Sequence, residues 1–410
     1  MAELISMRCR VSHPFILIER RLKLGMLVQL DTDPMARPEK ALLNIGLIID
    51  HSGSMSGEKL AEARRAAGQL VDQLRGDDVV SVVQFSDVAD AVVEATRAKD
   101  RAAIRSRIEQ IETGGGTNVY KGFKAGSEEV KKNTSEKQLN RCVVLSDGQH
   151  YGSPSKSKII AFAEELRGRE GISTSCLGFG EDYDRELLEG MVKAGGGNLY
   201  HIQQTEDLGK VFQQEFVRLQ STVAQNVKAR VTFPAAAQYE VLNPGYAIKQ
   251  EGRILEVEMA DMESGRTQTL AIEIVAQFNV PGRVRVAQVE VTYTDRTTGK
   301  EGRGAQDVFT QIVHEPAQVT EHIDRGVQNE LERIRALSRL KSVADGVDDG
   351  TVQRDEAVKT IQRLAQDILS HPADGATIAR IYADALKTID REGGARQLST
   401  ESMGATRGRT

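Results

Sequence analysis

The chain opens on an alternation. Between residues 14 and 31, Leu22, Leu24, Met26, Val28 and Leu30 occupy every second position, the period of a strand with one buried face. Two or three strands are therefore predicted before residue 35. Two prolines and several charges in DTDPMARPEK, residues 31 to 40, predict a linker. From Leu42 to Val223 the pattern becomes short apolar runs separated by helical stripes, the mark of repeated β-α units and a parallel sheet. LLNIGLIID, residues 42 to 50, has the unbroken apolarity of a strand covered on both faces. Leu60, Ala63, Ala67, Leu70, Val71 and Leu74 follow at helical spacing, with Gly76 as a stop. Further strands are predicted at 79 to 85, 141 to 147, 172 to 180 and 199 to 202, in a six-stranded, doubly wound, Rossmann-like sheet.

After residue 224 the period returns to two. Val227, Ala229, Val231 and Phe233 alternate with polar residues, as do Leu255, Val257 and Met259, and Leu270, Ile272 and Ile274. In RVRVAQVEVTYTD the apolar face slips by one residue between Val286 and Val289, which predicts a bulge near Ala287. With few strands on either side, residues 1–41 and 225–316 are expected to form one antiparallel β-sandwich, with the α/β domain of residues 42–224 inserted in it. Three helical stripes follow: Ile323 to Ala344, Val358 to Ile368 and Ile378 to Ile389, separated by GVDDGT and SHPADGA. They predict a three-helix bundle over 317–392, and 393–410, without periodicity, reads as a disordered tail.

Composition narrows the class. At 410 residues the chain exceeds one compact core, and a net charge of -5 argues against a nucleic-acid surface made by bulk charge. No apolar run approaches the roughly 20 residues of a membrane span. Cys9, Cys142 and Cys176 are too scattered for a disulfide framework, and the charged N-terminal stretch does not resemble a secretory signal, so the cytoplasm is expected.

The candidate chemistry lies at strand ends. Asp50, Ser52 and Ser54, spaced by two in DHSGSM, follow the first strand of the α/β region, and an extended turn would aim all three to one side. In open α/β sheets ligands bind outside the carboxyl ends of strands. GGGTNVY brings Thr117 on a flexible glycine run, and VVLSDGQ ends its strand on Asp147. Two carboxylates and three hydroxyls make a hard oxygen set, suited to Mg²⁺, with Mn²⁺ or Ca²⁺ as alternatives, and unsuited to zinc. An octahedral Mg²⁺ keeps open positions, which an outside carboxylate would fill. Ser56 is expected to cap the helix that follows, and Asp182 and Asp184 the helix after GEDYD. His51, between two metal-directed positions, is expected to point away, and His150 to sit on the rim.

These residues carry a resemblance. D-x-S-x-S after the first strand, a Thr in a glycine-rich loop and Asp-Gly after a later strand resemble the metal-ion-dependent adhesion site of von Willebrand factor A (vWA) domains. The similarity runs over residues 42 to 222 and includes FGEDYDRELLEGMVKAGGGNLYHI, which is similar to bacterial members. The resemblance implies Ser52, Ser54 and Thr117 as direct ligands, Asp50 and Asp147 as direct or water-mediated ones, and an acidic residue of a protein partner at the free position. It implies a binding module rather than an enzyme. The alternative is a regulatory subunit of an AAA+ ATPase of the MoxR type, and a metal-dependent hydrolase ranks below both, since no base or second metal cluster is evident. Asp50, His51 and Ser52 are consecutive and unsuited to a catalytic triad. Neither glycine run has the lysine-bearing phosphate-loop pattern.

Overall fold

The computed structural model describes residues 4–36, 42–135, 138–234, 237–369, 375–391 and 393–406. Three strands come first, β1 (Ile5–Val11), β2 (Phe15–Leu17) and β3 (Leu22–Thr32). The linker expected from residue 31 starts later, because Asp31 and Thr32 still pair in β3; residues 37–40 of that stretch lie outside the described residues. The α/β part follows: β4 (Leu42–Asp50), α1 (Glu58–Gln73), β5 (Val79–Phe85), β6 (Ala89–Arg97), α2 (Arg101–Glu109), α3 (Val119–Lys131), β7 (Gln138–Ser146), α4 (Lys156–Glu170), β8 (Ile172–Phe179), α5 (Arg185–Gly195), β9 (Gly196–Ile202) and α6 (Leu208–Ser221).

Its sheet has the order β6-β5-β4-β7-β8-β9 and is parallel except for β6, an antiparallel edge strand that the sequence pattern did not reveal. The apolar run of β4 is explained by two cores. Leu43, Ile45, Leu47 and Ile49 enter one, while Ile48 enters another with Cys142 and Val144 of β7. Alternate residues thus serve helices on opposite faces, as in a doubly wound domain. Burial pushes the Cys142 thiol up to about 12, so it acts as a small core side chain.

The rest is antiparallel β and then α. Strands β10 (Thr222–Thr232), β11 (Gln238–Val241), β12 (Ala247–Glu251), β13 (Ile254–Glu258), β14 (Met262–Glu263), β15 (Thr267–Ala276), β16 (Gly282–Asp295) and β17 (Lys300–Val313) make two sheets with the N-terminal strands. One has the order β1-β3-β15-β11 and the other β12-β13-β10-β16-β17-β2, with β14 also on β10. A shared core joins Met26, Val28 and Leu30 of β3 and Ile272 of β15 to Val231, Val257 and Val289 of the other sheet. In β16, Arg285 pairs with Phe309 and Ala287 with Val308, so Val286 is the extra residue of a bulge and the apolar face changes phase there.

Among the described residues five helices follow, where three were expected: α7 (Pro316–Glu321), α8 (Arg325–Asp348), α9 (Arg354–Leu369), α10 (Gly375–Ile389) and α11 (Gly394–Thr406). The turn expected around 370 falls partly on residues 370–374, outside the described ones. The tail expected from residue 393 is corrected by α11, which buries Leu398 and Met403 and packs on α8. Residues 407–410 are not among those described. Among the described residues, no helix is long and apolar enough to cross a membrane.

Ion pairs tie α5 to α8. Arg185, about one-tenth exposed, meets Asp345 and lies 3.0 Å from Asp348, and Lys341 lies 2.9 Å from Glu189 and 2.7 Å from Asp345. Burial alone would raise the Glu189 carboxyl, but Lys193 and Lys341 overcome it and hold the group at about 2, below the ordinary 4.5. A carboxyl held down in the folded state contributes stability fully above about pH 4.5 and loses it as pH falls towards about 2. Glu189→Gln should therefore lower the thermal midpoint most at neutral pH, with the gap to the wild type closing as pH falls through that window. A gap that stays constant down to about pH 2 would contradict the pairing.

Candidate metal centre

Strands β4 and β7 are neighbours in register, Ile49 opposite Leu145, so their last residues bring Asp50 and the Ser146-Asp147 pair together at the carboxyl edge of the sheet. Asp50 is fully buried, and both of its oxygens are engaged. Its Oδ1 accepts from the Ser52 backbone N–H at 2.9 Å, and its Oδ2 accepts from Ser146 Oγ at 2.7 Å. Burial pushes its carboxyl above the usual range; the hydrogen bonds from Ser52 and Ser146 oppose this and the nearby Asp147 charge adds to it.

The chain after Asp50 does not stay extended. Residues Gly53–Met55 close a short 3₁₀ turn, which carries Ser54 back towards β7. Ser54 Oγ donates to Asp147 Oδ1 at 2.7 Å and lies 3.1 Å from Ser52 Oγ. The expected cap is corrected here: Ser56 closes the 3₁₀ turn through its N–H to Gly53 O, and Gly57, at φ +77°, is the residue that opens α1. Thr117 arrives from the glycine loop, buried, its Oγ1 against Gly148, where an added Cβ would lie 3.0 Å away. The structure thus brings Asp50, Ser52, Ser54, Thr117 and Asp147 to one place.

The glycine loop owes its composition to crowding rather than to flexibility. None of Gly114, Gly115 and Gly116 has positive φ. Instead, a Cβ on Gly114 would lie 2.6 Å from His51 Cε1, one on Gly116 would lie 2.6 Å from Asp87 Oδ1, and one on Gly115 would also strike Asp87. Asp87 holds the loop by accepting from the Gly116 N–H at 2.7 Å, while Gly53 N–H donates to Gly115 O at 2.9 Å. His51 points away from the carboxylates, its Nδ1 2.6 Å from Glu112 O, and His150 Nε2 lies 3.1 Å from Pro154 O. Asp184 caps α5 by accepting from Leu187 N–H at 3.2 Å, and its own N–H donates to Gly148 O. Asp182 makes no such cap; its backbone carbonyl accepts from Gln149 Nε2 at 2.7 Å.

Three residues of this edge carried no signal in the sequence reading: Ser146, Asp87 and Lys59. The last is a cation. Lys59 Nζ lies 2.6 Å from Asp147 Oδ2, and the Asp147 side chain is fully buried.

The donor set fits a divalent ion. In an octahedral shell at 2.0–2.1 Å, neighbouring oxygens lie about 2.9 Å apart. Ser52 Oγ, Ser54 Oγ and Asp147 Oδ1, spaced 3.1 and 2.7 Å along the chain of contacts, have the separations of adjacent ligands. Asp147 Oδ2 already accepts a positive group.

Comparison with known proteins bears on the fold. The von Willebrand factor type A domain profile matches residues 44–214. An uncharacterised protein of Synechocystis sp. is 24% identical over 398 residues, which span 94% of this chain and 83% of that one. Among solved structures, a von Willebrand factor type A protein from Catenulispora acidiphila superposes with a TM-score of 0.76 at 17% identity, covering 98% of this chain and 97% of its own. The ArnB paralog VWA2 from Sulfolobus acidocaldarius gives 0.67 at 17% identity, covering 98% of both. At these identities the two structures establish likeness of fold, and they do so along almost the whole chain. Residues 44–214 of the chain form a von Willebrand factor type A domain.

Proposed function

We propose that Asp50, Ser52, Ser54, Thr117 and Asp147 form a divalent-cation site of the metal-ion-dependent adhesion type, through which the chain binds an acidic residue of a protein partner without catalysis. The convergence of Ser52, Ser54 and Asp147 carries this reading: their oxygens, from two separate segments, lie in contact at 3.1 and 2.7 Å, separations that neighbouring ligands of one ion can adopt. Ser52, Ser54 and Thr117 present hydroxyls, and Asp147 a carboxylate. Asp50, with both oxygens engaged, acts by fixing Ser52 and Ser146. Mg²⁺ suits the hard oxygen set best, with Mn²⁺ or Ca²⁺ as substitutes. When bound, the ion supplies an open position that attracts an oxygen of Asp or Glu.

The organisation we infer is a vWA domain over 42–224 inserted in a β-sandwich of 1–41 and 225–316, followed by a helical bundle. The pairings of β3 with β15 and of β2 with β17 support the insertion. Such a frame would hold the metal edge rigidly while leaving it exposed to a partner. The three cysteines are free, which suits the cytoplasm.

Calorimetric titration of the full chain should show one site for Mg²⁺ and Mn²⁺, abolished in Asp50→Ala and in Thr117→Ala. A partner recovered in Mg²⁺ should be lost on chelation and with either variant; retention in all three cases would remove the metal from the mechanism. Gly116→Ala should weaken Mn²⁺ binding about tenfold, since a Cβ there displaces Asp87 and the Thr117 loop. Gly168→Ala, where a Cβ meets nothing within 4 Å, should leave it unchanged. Equal affinity in the two glycine variants would contradict the loop-positioning role.

A further inference from the structure

Asp147 has two oxygens, and both are engaged. Ser54 Oγ donates to Oδ1 at 2.7 Å and Lys59 Nζ to Oδ2 at 2.6 Å. The two partners differ in kind. A hydroxyl can offer a lone pair to a metal while its proton turns elsewhere, whereas an ammonium has three donors, no acceptor and a full positive charge. Lys59 therefore does what a metal ligand does not: it occupies the carboxylate as a rival cation.

Helix position does not account for Lys59. It lies in the first turn of α1, where the backbone N–H groups make the environment positive and a cation is disfavoured. What holds it there is on the other side of the site. Its stem reaches across to Asp147, and its Nζ lies 5.5 Å from the centre of the Phe179 ring. About one-third of the Lys59 side chain is exposed, so the ammonium has a path to water and to the Phe179 face once it leaves Asp147.

We propose that Lys59 is a tethered counter-cation of Asp147 that competes with a divalent ion for the negative charge of this carboxylate, so that this lysine sets the metal affinity of the site. The proposal rests on the metal reading above. Charge gives its sign. Asp50 and Asp147 contribute two negative charges and Lys59 one positive, so the set offers a divalent ion a net charge of -1 instead of -2. The like-charge ammonium also stands one carboxylate away from where the ion binds. Metal binding is thereby made weaker and reversible, and the loaded site keeps a positive surplus.

The test is calorimetric titration of Mn²⁺ and of Mg²⁺ into the full chain as wild type, Lys59→Met and Lys59→Arg. Lys59→Met should bind both ions about tenfold more tightly, and Lys59→Arg should stay within about threefold of the wild type. Thermal unfolding gives a second, independent reading. In chelator, Lys59→Met should melt below the wild type, because a buried carboxylate has lost its cation, and Mg²⁺ should raise its midpoint more than it raises that of the wild type. Equal or weaker metal binding by Lys59→Met, or an equal rise in midpoint, overturns the proposal and makes Lys59 a structural residue only. Absence of binding in all three proteins would instead overturn the metal reading, and the proposal with it.

Discussion

Two carboxylates buried side by side at the ends of adjacent parallel strands are the constraint on which the rest of this edge depends. Asp50 and Asp147 are almost wholly withdrawn from water, and taking such charges from water costs several kcal/mol each unless hydrogen bonds and cations replace it. Every neighbouring feature answers that demand. Ser52, Ser146 and Ser54 donate to the carboxylates, and Lys59 supplies a positive charge. The 3₁₀ turn at Gly53–Met55 places Ser54 between the two strand ends, which an extended segment would not do. The divalent-cation site we propose would draw on the lone pairs of these same hydroxyls and on the Asp147 carboxylate.

The frame supplies the register. Strands β4 and β7 are pinned by cores on both faces, so the two aspartates meet at a fixed separation rather than through mobile loops. Further out, Arg141 at the opposite end of β7, itself buried, pairs with Asp261 at 2.9 Å, and Ser173 of β8 donates to the same carboxylate. The antiparallel region is thus anchored to the base of the α/β sheet. On the side of the site, the Asp184 N–H bond to Gly148 connects the residue after Asp147 to α5, and Arg185 connects α5 to the helices at the end of the chain.

Much of this was legible from residue order because the signals are periodic or local. A strand buried on two faces must be continuously apolar, as LLNIGLIID is, and a bulge must shift the phase of alternation, as it does at Val286. The meeting of Asp50, Ser52, Ser54, Thr117 and Asp147 at one edge was legible because each lies at or just beyond a strand end or follows a glycine run. What escaped notice had no such signature. Strand β6 buries Val93 among exposed positions and shows no alternation. Helix α11 buries Gly394, Ala395, Ser399, Ser402 and Thr406 beside Leu398 and Met403, so it has no apolar stripe to read. Lys59 sits in a helix turn where a lysine looks like solvated surface, and only the fold brings Asp147 to it. A triple glycine suggests flexibility, but here it answers crowding by His51 and Asp87, neighbours far apart in sequence.

The central claim is that the carboxyl edge of this sheet holds a divalent ion on hydroxyl and carboxylate oxygens. Anomalous diffraction from crystals of the full chain grown in Mn²⁺ tests it most directly. The account predicts a manganese peak within bonding distance of Ser52 Oγ, Ser54 Oγ and Thr117 Oγ1. No peak at that edge in crystals saturated with Mn²⁺, with Lys59 still seated on Asp147, would contradict it.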